Sequence, residues 1–195
     1  MTTEFDNIGS TAYNKYQGLP LLAYTCITHL LTSNELIFKL LYYNDPDAWN
    51  KSNLSTAAKA SLIFQGQESM ESYHIFMDSG QSDAWTTEST VLCIYPYDIN
   101  PMNRTVGVIT MAFEVYSHYK INHLSNYTTR IDTIIQQLIK EFNGFNLGEV
   151  GRLEFDNRMG GISQKVTATG TVPYKGKYIL MDTKSATGIQ GTGAL

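Results

Sequence analysis

The stretch NYTTRIDTIIQQLIKEF, residues 126–142, decides the fold. Ile131, Ile134, Ile135, Leu138, Ile139 and Phe142 recur at helical spacing and mark one apolar face, while Thr129, Asp132, Gln136, Gln137 and Lys140 fall on the other side. The pattern predicts an amphipathic helix over 126–142, with Ser125 as its N-cap and Gly144 as its stop. Such a face needs a second layer to cover it, and the flanking sequence supplies strands.

Upstream, residues 90–95 and 105–116 are rich in β-branched and aromatic side chains and are separated by Pro96, Asn100, Pro101 and Asn103, which reads as an antiparallel pair joined by a loop. Downstream, 151–155, 162–172 and 177–181, with turns at 157–161 and 173–176, read as a three-strand antiparallel meander. Toward the N-terminus, Pro20 opens a helix whose apolar positions Leu22, Ala23, Cys26, Ile27, Leu30 and Leu31 share one face. Thr32 and Glu35 offer a capping box for a second helix over 36–43, which Asn44, Asp45, Pro46 and Asp47 terminate. Residues 47–89 carry the weakest pattern, with a short helix expected at 56–64 and a short strand around Tyr73, Ile75 and Met77. The expected fold class is therefore α+β: N-terminal helices, then an antiparallel or mixed sheet with the long helix packed on it, in a single domain over 19–183 that holds an insertion at 47–89. The arm 1–18 and the Gly/Ser/Thr-rich tail 184–195 lack a core signal and are expected to be flexible.

Of the 195 residues 43% are hydrophobic but only 16% charged, below the usual quarter, so the exterior is polar and weakly charged, which suits lasting contact with other protein. The net charge of −4 and the absence of a Lys/Arg cluster exclude affinity built on phosphate neutralisation, while a mildly acidic ring would let DNA pass without sticking. Cys26 and Cys93, each in apolar surroundings, read as buried free thiols. No signal-like N-terminus and no apolar run long enough to span a bilayer is present, so neither secretion nor membrane insertion is expected.

Catalysis needs titratable or nucleophilic groups converging on one place, and the chain offers few. His118 and His123 match no zinc spacing, and His29 and His74 stand alone. Gly160 and Gly161 do not stand between a strand and a helix, so they build no phosphate cradle, and Asp45 and Asp47 flank a proline turn. No catalytic residue, cofactor or metal site is assigned. The thirteen tyrosines cluster at Tyr42 and Tyr43, at Tyr95 and Tyr97, and at Tyr116 and Tyr119. Tyrosine buries a large area while keeping a polar tip, so these six are the candidate interface residues.

The segment SNELIFKLLYYNDPD, residues 33–47, resembles the N-terminal region of head-to-tail connector and tail-completion proteins of tailed bacteriophages. The later order of strands, long helix and the Gly-Arg-Leu-x-Phe stretch at 151–155 is similar to that of neck proteins and tail terminators, so the likeness covers somewhat more than half of the chain. The resemblance implies a non-enzymatic virion protein, assembled in the host cytoplasm. It would form a homo-oligomeric ring, a hexamer, between the portal and adaptor complex and the tail tube or sheath, with no cofactor. The competing expectation is a small ligand-binding or enzymatic α+β domain whose site lies in 47–89.

Overall fold

A computed structural model describes residues 19–66, 72–79, 87–101, 107–155, 163–165 and 174–184. Its sheet is built from β1 (Ile75–Phe76), β2 (Thr90–Pro101), β3 (Gly107–His118), β4 (Arg152–Glu154), β5 (Ser163–Lys165) and β6 (Tyr174–Lys184). The strand order is β1-β2-β3-β6-β4, with β5 also on β6. β1 runs parallel to β2 and the remaining pairs are antiparallel, so the sheet is mixed. The fold is α+β, with the long helix on the sheet and helices at the N-terminal end.

Alternation explains how one sheet makes two different surfaces. Leu92, Ile94, Ile109, Met111, Phe113, Val115, Ile179 and Met181 face the helices and are buried with them. Against them lie α1 (Leu22–Ser33), through Cys26, Ile27 and Leu30, and α2 (Glu35–Tyr42), through Ile37, Phe38 and Leu41. They are joined by α4 (Arg130–Phe142), through Ile131, Ile134, Ile135, Leu138 and Phe142. Ile139 packs on this core from a partly buried position. Both cysteines are free and buried, and burial pushes the Cys26 thiol up to about 12.

Several local readings are corrected. β2 continues through Pro96 and Pro101, where a loop was expected, because the register shifts between Pro96 and Asp98. A bulge accepts a proline that lacks the ladder donor. The expected meander is not formed among the described residues, which include only 163–165 of its middle strand, 166–172 lying outside them. β4 and β5 do not pair with each other but lie in succession along β6, Glu154 opposite Asp182 and Ser163 opposite Tyr178. β6 begins at Tyr174, inside the expected turn, and its 11 residues are long enough to take both. Lys184, expected to open the flexible tail 184–195, is instead the last residue of β6 and pairs with Arg152, while the expected flexibility of 1–18 and of the rest of the tail concerns residues outside those described.

The helix ends also differ. α1 and α2 break at one extended residue, Asn34, whose Oδ1 accepts from the Ile37 N–H at 3.0 Å and whose Nδ2 donates to Gln137 and Glu141 on α4 at 3.1 and 3.0 Å. Thr32, expected as the cap, instead donates to the His29 carbonyl within α1. Glu35 accepts from the Leu54 N–H and pairs with Lys59 at 2.6 Å, tying down α3 (Thr56–Ala60). α3 is shorter than the expected 56–64 because Ile63 is drawn into a bridge with Ile75. α4 begins four residues later than expected. Its cap is Thr129, which accepts from the Asp132 N–H, while Asn122 takes the Arg130 N–H on its carbonyl and the Ile131 N–H on its Oδ1. The first donors of the helix are thereby all satisfied. The stop at Gly144 stands, with φ +92 where a side chain would be strained.

The first residue of α4 is the largest fully buried side chain among those described. Arg130 donates to the carbonyls of Leu40 (2.6 Å), Tyr43 (2.7 Å), Asp45 (3.0 Å) and Ile121 (3.1 Å). Replacing it strands these acceptors, so Arg130→Leu is expected to cost about 3 kcal/mol or more, read as a lower midpoint in urea unfolding. Arg130→Lys keeps the charge but offers three donors from one point in place of a planar fork, and should lose most of the same stability. An unchanged midpoint in Arg130→Lys would mean that charge alone, not the fork, holds the site.

Candidate interaction surface

Three segments converge at the end of the sheet where β2 begins and β3 ends. Asn44 Nδ2 donates to the Glu88 carbonyl at 2.7 Å, and Lys120 Nζ donates to the Glu88 carboxylate at 2.5 Å. The Ser125 N–H donates to the Pro46 carbonyl at 2.8 Å, and Trp49 Nε1 donates to Ser125 Oγ at 3.1 Å. Arg130 holds the same stretch from beneath through Tyr43 and Asp45. Asp45 and Asp47 lie at a turn closed by the Ala48 N–H donating to the Asp45 carbonyl at 3.1 Å, and their carboxylates share Lys51 at 3.5 and 3.4 Å. On this corner Tyr42, Trp49, Tyr119 and Tyr127 are exposed.

Tyr127 is the outlier. The Leu124 N–H donates to the Thr128 carbonyl at 3.0 Å and the Tyr127 N–H to the Leu124 carbonyl at 3.2 Å, closing a hairpin loop of Ser125, Asn126 and Tyr127. Asn126 Oδ1 accepts from both the N–H and the hydroxyl of Thr128, at 3.3 and 2.6 Å. Tyr127 is the only non-glycine at positive φ among the described residues, at +63, a conformation that costs a β-carbon roughly 1 kcal/mol. The residue is fully exposed, so no packing offsets that cost.

The six candidate tyrosines are not one surface. Tyr42 and Tyr43 meet edge to face at 4.9 Å, but Tyr43 packs on the core and donates to the Ser52 carbonyl. Tyr95 and Tyr116 both donate to Glu114, each at 2.8 Å, on the sheet face away from the helices. Tyr116 is 1% exposed, which removes it from any surface of this chain. Burial, followed by the neighbouring carboxylate, holds both phenols well above their ordinary pKa. Tyr97 is 58% exposed at the far end, lifted out by the bulge beside exposed Ile99. There Asp98, Thr110 and Asp182 stand opposite one another across three strands, and Thr110 donates to Asp182 at 2.6 Å. Sequence reasoning missed Trp49 and Tyr127. The Ser125 and Asn126 turn residues were a usable signal, since both favour a loop over a helix interior.

The histidines are dispersed. His29 lies on Phe145 with ring centres 4.2 Å apart, and its Nε2 is 3.5 Å from Glu141 without hydrogen-bond alignment. His118, at the end of β3, stacks on Tyr119 and meets Tyr174 edge-on. His74 Nδ1 donates to the Thr90 carbonyl at 2.8 Å. Among the described residues no group of three or more His, Cys, Asp and Glu side chains gathers to hold a metal, and no helix is long and apolar enough to cross a membrane.

The model of the YomW family matches residues 34–181, from the cap of α2 to the core positions of β6. The chain belongs to that family, which is phage-derived. No curated protein and no solved structure matches it.

The buried imidazoles give a pH signature. Burial lowers the pKa of both His74 and His118 below the ordinary 6.5, so the fold holds them neutral while the unfolded chain takes up protons first. Their contribution is fully present above 6.5 and is lost as pH falls through it. The carboxylates Glu35 and Asp132, lowered by Lys59 and Lys177 against their own burial, lose theirs only in the separate window below their ordinary 4.5 and 3.8. The melting temperature should therefore fall in two steps on acidification, and His74→Gln should flatten the upper step. An unflattened upper step in His74→Gln would remove His74 from this account.

Proposed function

We propose that this member of the YomW family is a structural virion protein, a ring-forming neck component that joins the head and portal complex to the tail as a tail terminator or closely related connector. The observation that supports it most directly is the pair of unlike exposed patches at opposite ends of one sheet. Tyr97 and Ile99 lie at one end, and Tyr42, Trp49, Tyr119 and Tyr127 at the other. A two-fold contact uses one patch twice, whereas a head-to-tail contact joins two different patches and closes into a ring when the rotation allows. The order of N-terminal helices, β-hairpin, long helix and edge strand agrees with the neck resemblance of residues 33–47, and the low charge content suits a permanently packed exterior.

In this reading the protein works by contact and not by catalysis. Its partners are further copies of itself in a six-membered ring, the portal or adaptor above and the tail tube or sheath below. DNA passes through the lumen without sequence-specific contact. Mass spectrometry of gradient-purified virions should find the chain in the copy number of one ring, and disrupting its gene should release filled heads and free tails that fail to join. Absence from purified virions, or a strictly monomeric chain that binds a small ligand, would sink the reading.

A further inference from the structure

The turn that stops α4 sets a reactive pair of residues side by side. Asn143 is the C-cap of the helix, and Gly144 follows it at φ +92, where glycine is the unstrained residue. The stop signal of the helix thereby puts, directly after an asparagine, the residue that has no side chain to shield its backbone nitrogen. A nitrogen so placed attacks the side-chain amide carbon and closes a five-membered imide, and asparagine is among the thermolabile residues. Both residues are exposed, and a β-carbon at Gly144 would meet nothing within 4 Å, so water reaches the pair.

Both reacting groups are nevertheless held by one strand and the residue that follows it. The Gly144 N–H, which would have to attack, donates to the Leu153 carbonyl at 2.7 Å. Asn143 Oδ1, on the amide that would be attacked, accepts from the Phe155 N–H at 3.1 Å. Asn143 also stands at ψ 108, which turns the Gly144 nitrogen to the far side of the Cα–C bond from Cβ, whereas ring closure needs the two side by side. Attack therefore requires the loss of two hydrogen bonds and a rotation about ψ. Departure of 153–155 from its place releases all of these at once. β4 is three residues long and stands at the end of the strand order, paired with β6. Short pieces at an edge open locally at a lower free energy than the whole fold.

We propose that Asn143 is a site of spontaneous deamidation that β4 keeps latched, and that local opening of 153–155, short of global unfolding, commits it to conversion. In the reaction the Gly144 nitrogen gives its proton to water and bonds to Asn143 Cγ, the Cγ–Nδ2 bond breaks, and Nδ2 leaves as ammonia. A second water opens the imide on either side, giving aspartate or a main chain rerouted through Cγ as isoaspartate. Aspartate keeps an acceptor for Phe155 but sets a negative charge at the carbonyl end of α4, where the helix dipole opposes it. Isoaspartate lengthens the main chain between the helix and Gly144, so Gly144 and Leu153 lose their register. An opening of β4 is thus recorded in the covalent chain.

The test incubates the full chain in mildly alkaline buffer, folded and in concentrated urea, and follows Asn143 by peptide mass spectrometry with enzymatic methylation of isoaspartate. Conversion should be roughly tenfold or more slower in the folded chain. Equal rates overturn the latch, and an Asn143 that stays intact in urea removes the site. Leu153→Ala and Ile75→Ala, both fully buried in the same core but at opposite ends of the strand order, separate local from global opening. Leu153→Ala should speed conversion roughly fivefold more than Ile75→Ala, and equal acceleration would tie conversion to global unfolding and overturn the local opening. Should either variant fail to fold, low urea on the unchanged chain decides the same point. Conversion that rises before the fold is lost supports the proposal, and conversion that rises only with that loss overturns it.

Discussion

A guanidinium held by four carbonyls, with the Asp45 carboxylate near enough to favour its charge, organises this fold. Arg130 is fully buried, and burial lowers its pKa to about 10, so it stays charged at neutral pH while surrounded by protein. Removing such a charge from water costs several kcal/mol, and four carbonyls offset it through charge-assisted hydrogen bonds. Leu40 and Tyr43 supply two of them at the C-terminal end of α2, where unpaired carbonyls and the helix dipole both favour a cation. The others come from the proline turn and from the loop that leads to α4. One side chain therefore fixes how the last turn of α2, the turn after it and the start of α4 sit together. Those are the segments that display Trp49 and Tyr127.

The two faces of the sheet have different chemistry for the same reason that strands alternate. The helix side is aliphatic and closed by α1, α2 and α4. The other side gathers Val91, Cys93, Tyr116 and Tyr174 with Phe76, and places a carboxylate, Glu114, among phenols. Burial raises the cost of losing any phenol proton there, so Tyr95 and Tyr116 act as fixed donors and Glu114 as a fixed acceptor. Tyr174 Oη lies 3.0 Å from Ser89 Oγ and donates to the Thr87 carbonyl, which ties the start of β6 to the segment preceding β2 and so to the exposed corner.

What periodicity encodes was legible. The apolar faces of α1, α2 and α4, the pairing of β2 with β3 and the burial of both cysteines followed from spacing and residue type alone. What tertiary contact decides was not. The helical pattern assigned Arg130 to neither face, since nothing local tells a charged residue that four carbonyls will surround it. Pro96 reads as a loop because a bulge leaves little trace in composition. Tyr116 and Tyr119 look alike in one cluster, yet Tyr116 turns into the sheet while Tyr119 follows the end of β3 and is half exposed. The same limit applied to the six candidate tyrosines. Clustering of tyrosine along the chain suggested a contact surface, but only the geometry separated phenols that hold the fold from those that stand exposed.

The exposed corner is held by hydrogen bonds from several segments. The Ser125 N–H is held by Pro46, its hydroxyl by Trp49, Thr128 by Asn126, and the helix that follows by Thr129 and Asn122. Each bond removes freedom that a partner would otherwise have to freeze, and ordering a rotamer-rich side chain at an interface costs roughly 0.5–1.5 kcal/mol. A strained left-handed Tyr127 at the tip fits that arrangement, since the bonds on either side leave its backbone little choice. The bonds and the strain have a common source, because the loop bearing Tyr127 is anchored at one end by Arg130, the same residue that closes the core. The stability of the fold and the presentation of its most exposed side chain are thus coupled through one guanidinium.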